Sequence, residues 1–95
     1  MDLHIKHKEN TTNGIFYFEE DHKIVAEMEY TYSEIDKIII NHTEVKPQFK
    51  GQGLGIKLLD ETVTFARKNN LKITALCPFV EVQFERYDKY NDVKL

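Results

Sequence analysis

The segment VKPQFKGQGLG, from Val45 to Gly55, decides how the rest of this 95-residue sequence is interpreted. It holds three glycines within five residues, and it stands between a strand-like run and a helix-like run. Glycines in such a position indicate a loop whose backbone approaches another group closely. Amides at the start of the following helix, the helix dipole and Lys50 together suit an anion. A phosphate or pyrophosphate ligand and a purely structural turn both remain open on this chemistry.

The glycine spacing does not match two common phosphate-binding motifs. No Lys-Ser or Lys-Thr pair follows the glycines, as a P-loop requires. A dinucleotide fingerprint would follow the first strand of the chain, with an acidic residue after a second strand. The loop at 45–55 follows a late strand instead. If the loop binds an anion, it therefore belongs to another class.

A β-α-β-α pattern surrounds the loop. Lys37–Val45 is a predicted strand whose run of three isoleucines suits burial on both faces. The run after Gly53 carries apolar residues at i, i+4 and i+7, which predicts an amphipathic helix. Leu71–Leu76 predicts a further strand, and Pro78 opens a second helix. Two strands joined through a helix are expected to be parallel.

The first half of the chain predicts antiparallel strands at Leu3–His7, Ile15–Phe18 and Ile24–Tyr32. In the last of these, alternate residues are apolar, as a half-buried antiparallel strand requires. The sequence therefore predicts one α/β (α+β) domain over residues 1–95. Its mixed sheet has antiparallel N-terminal strands followed by the β-α-β-α unit. The C-terminal tail is expected either to add a short extended piece or to fray.

Composition limits the partners and the compartment. The net charge of −3 disfavours non-specific nucleic-acid binding, which needs a basic surface. No apolar run approaches the length of a membrane span, and the N-terminal residues lack a signal-peptide pattern. The lone Cys77 fits a reducing compartment, so a cytoplasmic protein is expected. The expected oligomeric state is a monomer or a weak dimer.

Gln48–Gly53 resembles the Q/R-x-x-G-x-G/A signature of the GNAT acetyltransferase superfamily, and its flanks resemble the family's strand end and helix start. The resemblance extends over Asp36–Asp88. It implies that acetyl-coenzyme A (acetyl-CoA) is the cosubstrate, with its pyrophosphate on the loop amides and its pantetheine arm between two splayed parallel strands. It also implies an amine acceptor, unidentified and perhaps carried by a protein. The implied cofactor-binding residues are Thr43, Val45, Gln48, Phe49, Lys50, Gly51, Gln52, Gly53, Leu54 and Gly55.

Three residues are candidates for the chemistry of acetyl transfer. Cys77 ends a strand and precedes a helix, whose N-terminus favours the nucleophilic thiolate, so it is a candidate acetyl carrier. The alternative is an inert buried cysteine. His42 and Glu44, expected to share a face with Ile38 and Ile40, are candidate bases for an ammonium acceptor. The alternatives are a histidine that bonds within the sheet and a solvated glutamate. The histidines do not cluster in the sequence, so no metal site is expected.

The chain departs from the family pattern at two places. No helical pattern precedes Gly53, whereas the family carries two helices after its first strand, so the acceptor side is expected to be open. That suits a macromolecular acceptor, or it means that acceptor binding is lost. Phe84 stands where the family has a tyrosine acid, with Tyr87 one turn on. The expected function is N-acetyl transfer. The alternatives are a non-catalytic acetyl-CoA-binding module and a protein-interaction domain.

Overall fold

Five strands form one mixed sheet in the structure, a computed structural model that describes residues 3–95. The strands are β1 (Ile5–Glu9), β2 (Asn13–Glu20), β3 (Lys23–Glu34), β4 (Lys37–Val45) and β5 (Lys72–Ala75). They lie side by side in chain order, antiparallel from β1 to β4 and parallel between β4 and β5. Helix α1 (Leu54–Lys68) connects β4 to β5, and helix α2 (Pro78–Arg86) follows β5. No helix within residues 3–95 is long and apolar enough to cross a bilayer.

The predicted fold class and strand directions are confirmed. β4 has its predicted bounds, α2 begins at the predicted proline, and β4 and β5 are parallel. β2 and β3 are longer than their apolar alternation indicated, because they stay paired up to a tight turn at Asp21 and His22. Both turn residues have positive φ, which matches the twist of a two-residue hairpin. β1 lies two residues later than predicted, because its pairing with β2 continues to Glu9.

Both helices lie on the same side of the sheet. α1 packs on the face that carries the buried side chains of Met28, Tyr30 and Ile40. α2 belongs to the same layer, since Phe84 packs on Tyr90, whose hydroxyl donates to Asp60 of α1 at 2.7 Å. Alternation along the strands places a different set on the opposite face. We call this surface the open face: Lys6, Lys8, Ile15, Tyr17, Glu27, Glu29, His42 and Glu44.

A β-bulge in β4 decides which side chains reach each face. Tyr30 pairs with Ile40 and Glu29 pairs with His42, so Asn41 is the extra residue. An extra residue reverses the alternation beyond it. The expectation that His42 and Glu44 share a face with Ile38 and Ile40 is therefore wrong. They lie on the open face, and Thr43 points to the helix side.

The C-terminal tail adds an extended piece rather than fraying. After a 3-10 turn at Asp88–Tyr90, Lys94 forms a parallel bridge with Ile73 of β5. The Ile73 amide donates to Val93 at 2.7 Å, and the Leu95 amide donates to Ile73 at 2.9 Å. The spacing of Val80, Phe84 and Tyr87 predicts that all three lie on the apolar stripe of the second helix, and this is wrong for Tyr87. The helix ends before this residue, which is exposed.

Replacing Gly14 by alanine is expected to destabilise the protein. A Cβ at this position would overlap the hydroxyl of Tyr30, a fully buried side chain. That hydroxyl donates to Glu9 at 2.6 Å and cannot move away without losing the bond. Overpacking of this kind costs about 1–3 kcal/mol, which urea unfolding would measure. The control is Asn13→Ala, which shortens an exposed side chain next to Gly14. Equal stability of the two variants would contradict the packing argument.

Stability is expected to fall in mild acid because of His7. Its ring stacks on Phe16 with centroids 3.9 Å apart, and Nε2 lies 2.6 Å from the Tyr30 hydroxyl oxygen. Burial lowers the pKa of His7, although Glu9 and Glu61 oppose the shift. The unfolded chain then binds more protons, so stability is lost as pH falls from about 6.5 through the lowered folded pKa.

The His7→Gln variant isolates this contribution. Glutamine keeps a hydrogen-bonding side chain but does not titrate in this range. Unfolding free energies of both proteins at neutral pH and in mild acid should show a steeper fall for the unmodified protein. Identical slopes would show that His7 does not set this dependence.

Candidate active site

Two left-handed glycines turn the chain from a 3-10 turn at Pro47–Phe49 into α1. Gly51 has φ +84° and Gly53 has φ +74°. Only glycine adopts this region without strain, so the two residues set the path of the loop. Gly53 is the N-cap of α1 and supplies no side chain to its first amides.

The backbone amides of residues 51–56 have no acceptor among the residues that the structure describes. On one side of this run, the Lys50 amide donates to Pro47 at 3.3 Å. On the other side, the Lys57 amide donates to Gly53 at 3.1 Å. Consecutive free amides at a helix N-terminus favour a bound anion through hydrogen bonds and the helix dipole. They border an open cleft of about 530 Å³.

Eight of the ten predicted cofactor-binding residues line this cleft: Thr43, Val45, Phe49, Lys50, Gly51, Gly53, Leu54 and Gly55. The side chains of Gln48 and Gln52 are exposed and do not line it. Sequence reasoning missed Phe79, whose ring lies so close to Gly55 that a Cβ there would be 3.0 Å from Cζ. Only its place after Pro78, at the start of a predicted helix, could have indicated it.

The two parallel strands separate next to the cleft. Their last pair is Ile40 with Ala75, and β4 continues to Val45 without β5 beside it. The Leu76 and Cys77 amides both donate to the Ile40 carbonyl, at 2.9 and 3.3 Å. The sheet therefore has a gap beyond this point, as the predicted splay of the strands requires.

Thr43 and Cys77 meet across this gap. Thr43 Oγ1 lies 3.2 Å from Cys77 Sγ, and Cys77 is 7% exposed. Cys77 is also the N-cap of α2, and its carbonyl accepts from Val80 and Glu81. The thiol therefore lies at the N-terminus of α2.

Within residues 3–95, no hydrogen bond joins His42 or Glu44 to Cys77, although Glu44 is among the residues that line the cleft. His42 Nε2 lies 3.8 Å from Glu44 Oε1, and both side chains are about half exposed on the open face. Glu27 and Glu29 stand opposite them on β3, and ligand atoms of Glu27, Glu29 and His42 lie within 4.8 Å of one another. This group can offer ligands to a cation, and only the pairing of β3 with β4 reveals it. The catalytic roles of His42 and Glu44 stay predictions.

Comparison with known families now adds to this geometry. The sequence profile of the GCN5-related N-acetyl-transferase family matches residues 15–93. The chain belongs to the GNAT family. A GCN5-like protein from Staphylococcus aureus has a similar solution structure, with 41% identity over 98% of this chain and 88% of that one, and a TM-score of 0.79. A search of curated proteins gave no match.

More distant GNAT structures share the fold. A GNAT family acetyltransferase from Elizabethkingia anophelis, with acetyl-CoA bound, is 20% identical over 84% of this chain, with a TM-score of 0.62. A ribosomal-protein-alanine N-acetyltransferase from Brucella melitensis is 14% identical over 90% of this chain, with a TM-score of 0.63. The matched regions cover 54% and 64% of those two proteins.

The tyrosine acid of the GNAT pattern has no clear counterpart within residues 3–95. Phe84 is buried against Tyr90, and Tyr87 is 43% exposed beside Lys89. The hydroxyl of Tyr90 is engaged with Asp60, and burial raises its pKa. No tyrosine is among the residues that line the cleft. Tyr87 therefore does not lie where it could replace the tyrosine acid of the GNAT pattern.

Proposed function

We propose that this GNAT protein binds acetyl-CoA in the cleft between β4 and α1 and transfers the acetyl group to an amine. The free amides of residues 51–56 are the observation that carries the proposal. They need acceptors, and a diphosphate offers several charged oxygens at once. The acetyl-CoA bound to the Elizabethkingia anophelis protein supports the same ligand here.

Different residues serve different parts of the cosubstrate. The amides and the Lys50 ammonium hold the diphosphate, since both present positive charge at the mouth of the cleft. Phe49, Leu54 and Phe79 offer apolar surface to the arm. Beyond Ile40, the edge of β4 is not paired with β5, so it can hydrogen-bond with the amides of the pantetheine arm. Thr43 and Cys77 lie at the end where the strands separate.

Cys77 acts as the acetyl carrier in this proposal. Its thiolate attacks the thioester carbonyl, an Sγ–acetyl bond forms, the bond between the acetyl carbon and the coenzyme A sulfur breaks, and the coenzyme A thiolate takes up a proton from water. The Thr43 hydroxyl lies 3.2 Å from Sγ, so it is the donor when Cys77 is a thiolate and holds the sulfur for attack. The acceptor amine then attacks the Sγ-acetyl carbon, the C–Sγ bond breaks to regenerate the Cys77 thiolate, and the new amide nitrogen loses its second proton to water. His42 or Glu44, directly or through a water, takes the proton that the ammonium must lose.

A second candidate is an acetyl-CoA-binding module without turnover. The absence of a tyrosine hydroxyl from the lining of the cleft, within residues 3–95, favours it. The free thiol of Cys77 supports a reducing compartment such as the cytoplasm for either candidate.

Incubation with acetyl-CoA separates these candidates. We expect a rise in melting temperature, because a ligand selective for the folded state stabilises it. We also expect an intact-mass increase of one acetyl group, mapped to Cys77 and absent in Cys77→Ser. Stabilisation without the adduct favours the binding module or direct transfer. No stabilisation at millimolar ligand would contradict both candidates.

Gly51→Val is expected to weaken acetyl-CoA binding by roughly tenfold or more, the loss of about 1.4 kcal/mol. A Cβ at Gly51 meets no protein atom, so the effect comes from the left-handed φ and from the blocked approach of the ligand. Isothermal titration calorimetry measures the affinity, and circular dichroism checks the fold. Gln52→Ala, which keeps its amide, is the control and should bind normally. Unchanged affinity in folded Gly51→Val would overturn the loop assignment.

The Thr43 hydroxyl is expected to speed acetylation of Cys77. Thr43→Val keeps the shape of the side chain but removes the donor at 3.2 Å from Sγ. A hydrogen bond to a charged group contributes about 1.5–3 kcal/mol, so we expect roughly a tenfold or larger fall in the rate of adduct formation. Thr43→Ser should keep most of the rate. Equal rates in the valine and serine variants would exclude this role.

A further inference from the structure

We propose that Glu27, Glu29 and His42 on the open face form a binding site for a divalent transition-metal ion such as zinc. The site lies across β3 and β4, on the opposite side of the sheet from Thr43. This inference goes beyond the proposed function, because binding of the ion requires neither acetyl-CoA nor an acceptor.

The pairing of β3 with β4 brings the three side chains together. Glu29 pairs directly with His42, and Glu27 precedes Glu29 by two residues on the same face. One ligand atom from each of the three residues lies within 4.8 Å of the other two. Zinc holds nitrogen and oxygen ligands at about 2.0–2.2 Å, hence roughly 3.4 Å from one another in a tetrahedral site. Small side-chain rotations therefore close the group around an ion.

The bulge at Asn41 places an imidazole beside the two carboxylates. Without the extra residue, His42 would lie on the helix side together with Ile38 and Ile40. A bulge of this kind commonly re-aims a side chain next to a functional site. The group is therefore a mixed set of nitrogen and oxygen donors held on two paired strands, which distinguishes it from a run of exposed acidic residues.

The two lysines of the open face, Lys6 and Lys8 on β1, are engaged away from this group. Strand β2 lies between β1 and β3, so the axes of β1 and β3 are about 10 Å apart. Lys6 Nζ lies 2.7 Å from Glu19 Oε1, and Lys8 Nζ lies 5.2 Å from the centroid of the Tyr17 ring. Both ammonium groups therefore contact side chains of β2 and leave the carboxylates of β3 to another cation.

Negative charge accumulates where the ion would bind. Glu44 pairs directly with Glu27, so three carboxylates lie around one imidazole. Within residues 3–95, no lysine or arginine forms an ion pair with any of these three carboxylates. Like charges directly opposite each other destabilise a sheet. A bound cation would therefore stabilise the pairing of β3 with β4.

The donor set favours a transition-metal ion over calcium or magnesium. An imidazole nitrogen suits zinc, copper, iron and nickel, whereas carboxylate, carbonyl and water oxygens suit calcium and magnesium. A histidine that binds a metal usually hydrogen-bonds a carboxylate through its other ring nitrogen. Glu44 is placed for this part, since its Oε1 lies 3.8 Å from His42 Nε2. While His42 holds the ion, Glu44 remains as the candidate base.

Isothermal titration calorimetry with zinc chloride, on the full chain without a histidine tag, tests the site. We expect one zinc ion per chain, a higher melting temperature with zinc, and magnesium binding that is weaker by roughly tenfold or more. Glu27→Gln/Glu29→Gln and His42→Gln should each weaken zinc binding by roughly tenfold or more. Cys77→Ser should bind zinc normally, because the thiol lies beside Thr43 on the other side of the sheet.

Two controls match the groups that the site variants remove. Glu85→Gln/Asp88→Asn removes two exposed carboxylates, and His4→Gln removes an exposed imidazole. Both controls should bind zinc as the unmodified protein does, and circular dichroism checks the fold of every variant.

Four results would overturn the inference. These are no zinc binding, loss of binding in Cys77→Ser or in the controls, magnesium binding as tight as that of zinc, or full zinc binding in the site variants, which would reveal an adventitious ion only. Acetyl-CoA is absent from these experiments. Failure of the metal site would therefore leave the cofactor proposal untouched, and failure of acetyl-CoA to stabilise the protein would leave the metal site untouched.

Discussion

The backbone amides without acceptors at the start of α1 are the feature on which the site depends. The amides of residues 51–56 have no acceptor in the described chain, because two left-handed glycines lead the backbone into the helix without a capping side chain. These donors lie at a largely exposed helix start, where they favour an anion such as the proposed diphosphate. The cleft beside them extends along the free edge of β4 toward Thr43.

The bulge at Asn41 determines which candidate catalytic residues lie on each side of the sheet. Because of the extra residue, Thr43 turns to the helix side and meets Cys77, while His42 and Glu44 turn to the open face. The proposed acetyl carrier on one side and the candidate bases on the other can approach each other where β4 and β5 separate. The proposed cosubstrate and the proposed acceptor therefore approach the same gap from opposite faces.

The sequence predicts most of the fold and part of the site. The glycine loop is predictable because positive φ and close approach both demand glycine, and apolar periods of two and 3.6 identify the strands and helices around it. The bulge is not predictable from alternation, because polar residues follow Ile40 in either register. Contacts such as Thr43 with Cys77 join residues 34 positions apart, so they depend on tertiary pairing. Gln48 and Gln52 belong to the motif, yet their side chains stay outside the cleft.

Titration of the ¹⁵N-labelled protein with acetyl-CoA, followed by amide chemical shifts, tests the central claim most directly. The account predicts that the largest shifts fall on the amides of residues 51–56, with smaller ones along β4 from Thr43 to Val45. Large shifts elsewhere, with these amides unmoved at saturating ligand, would contradict it.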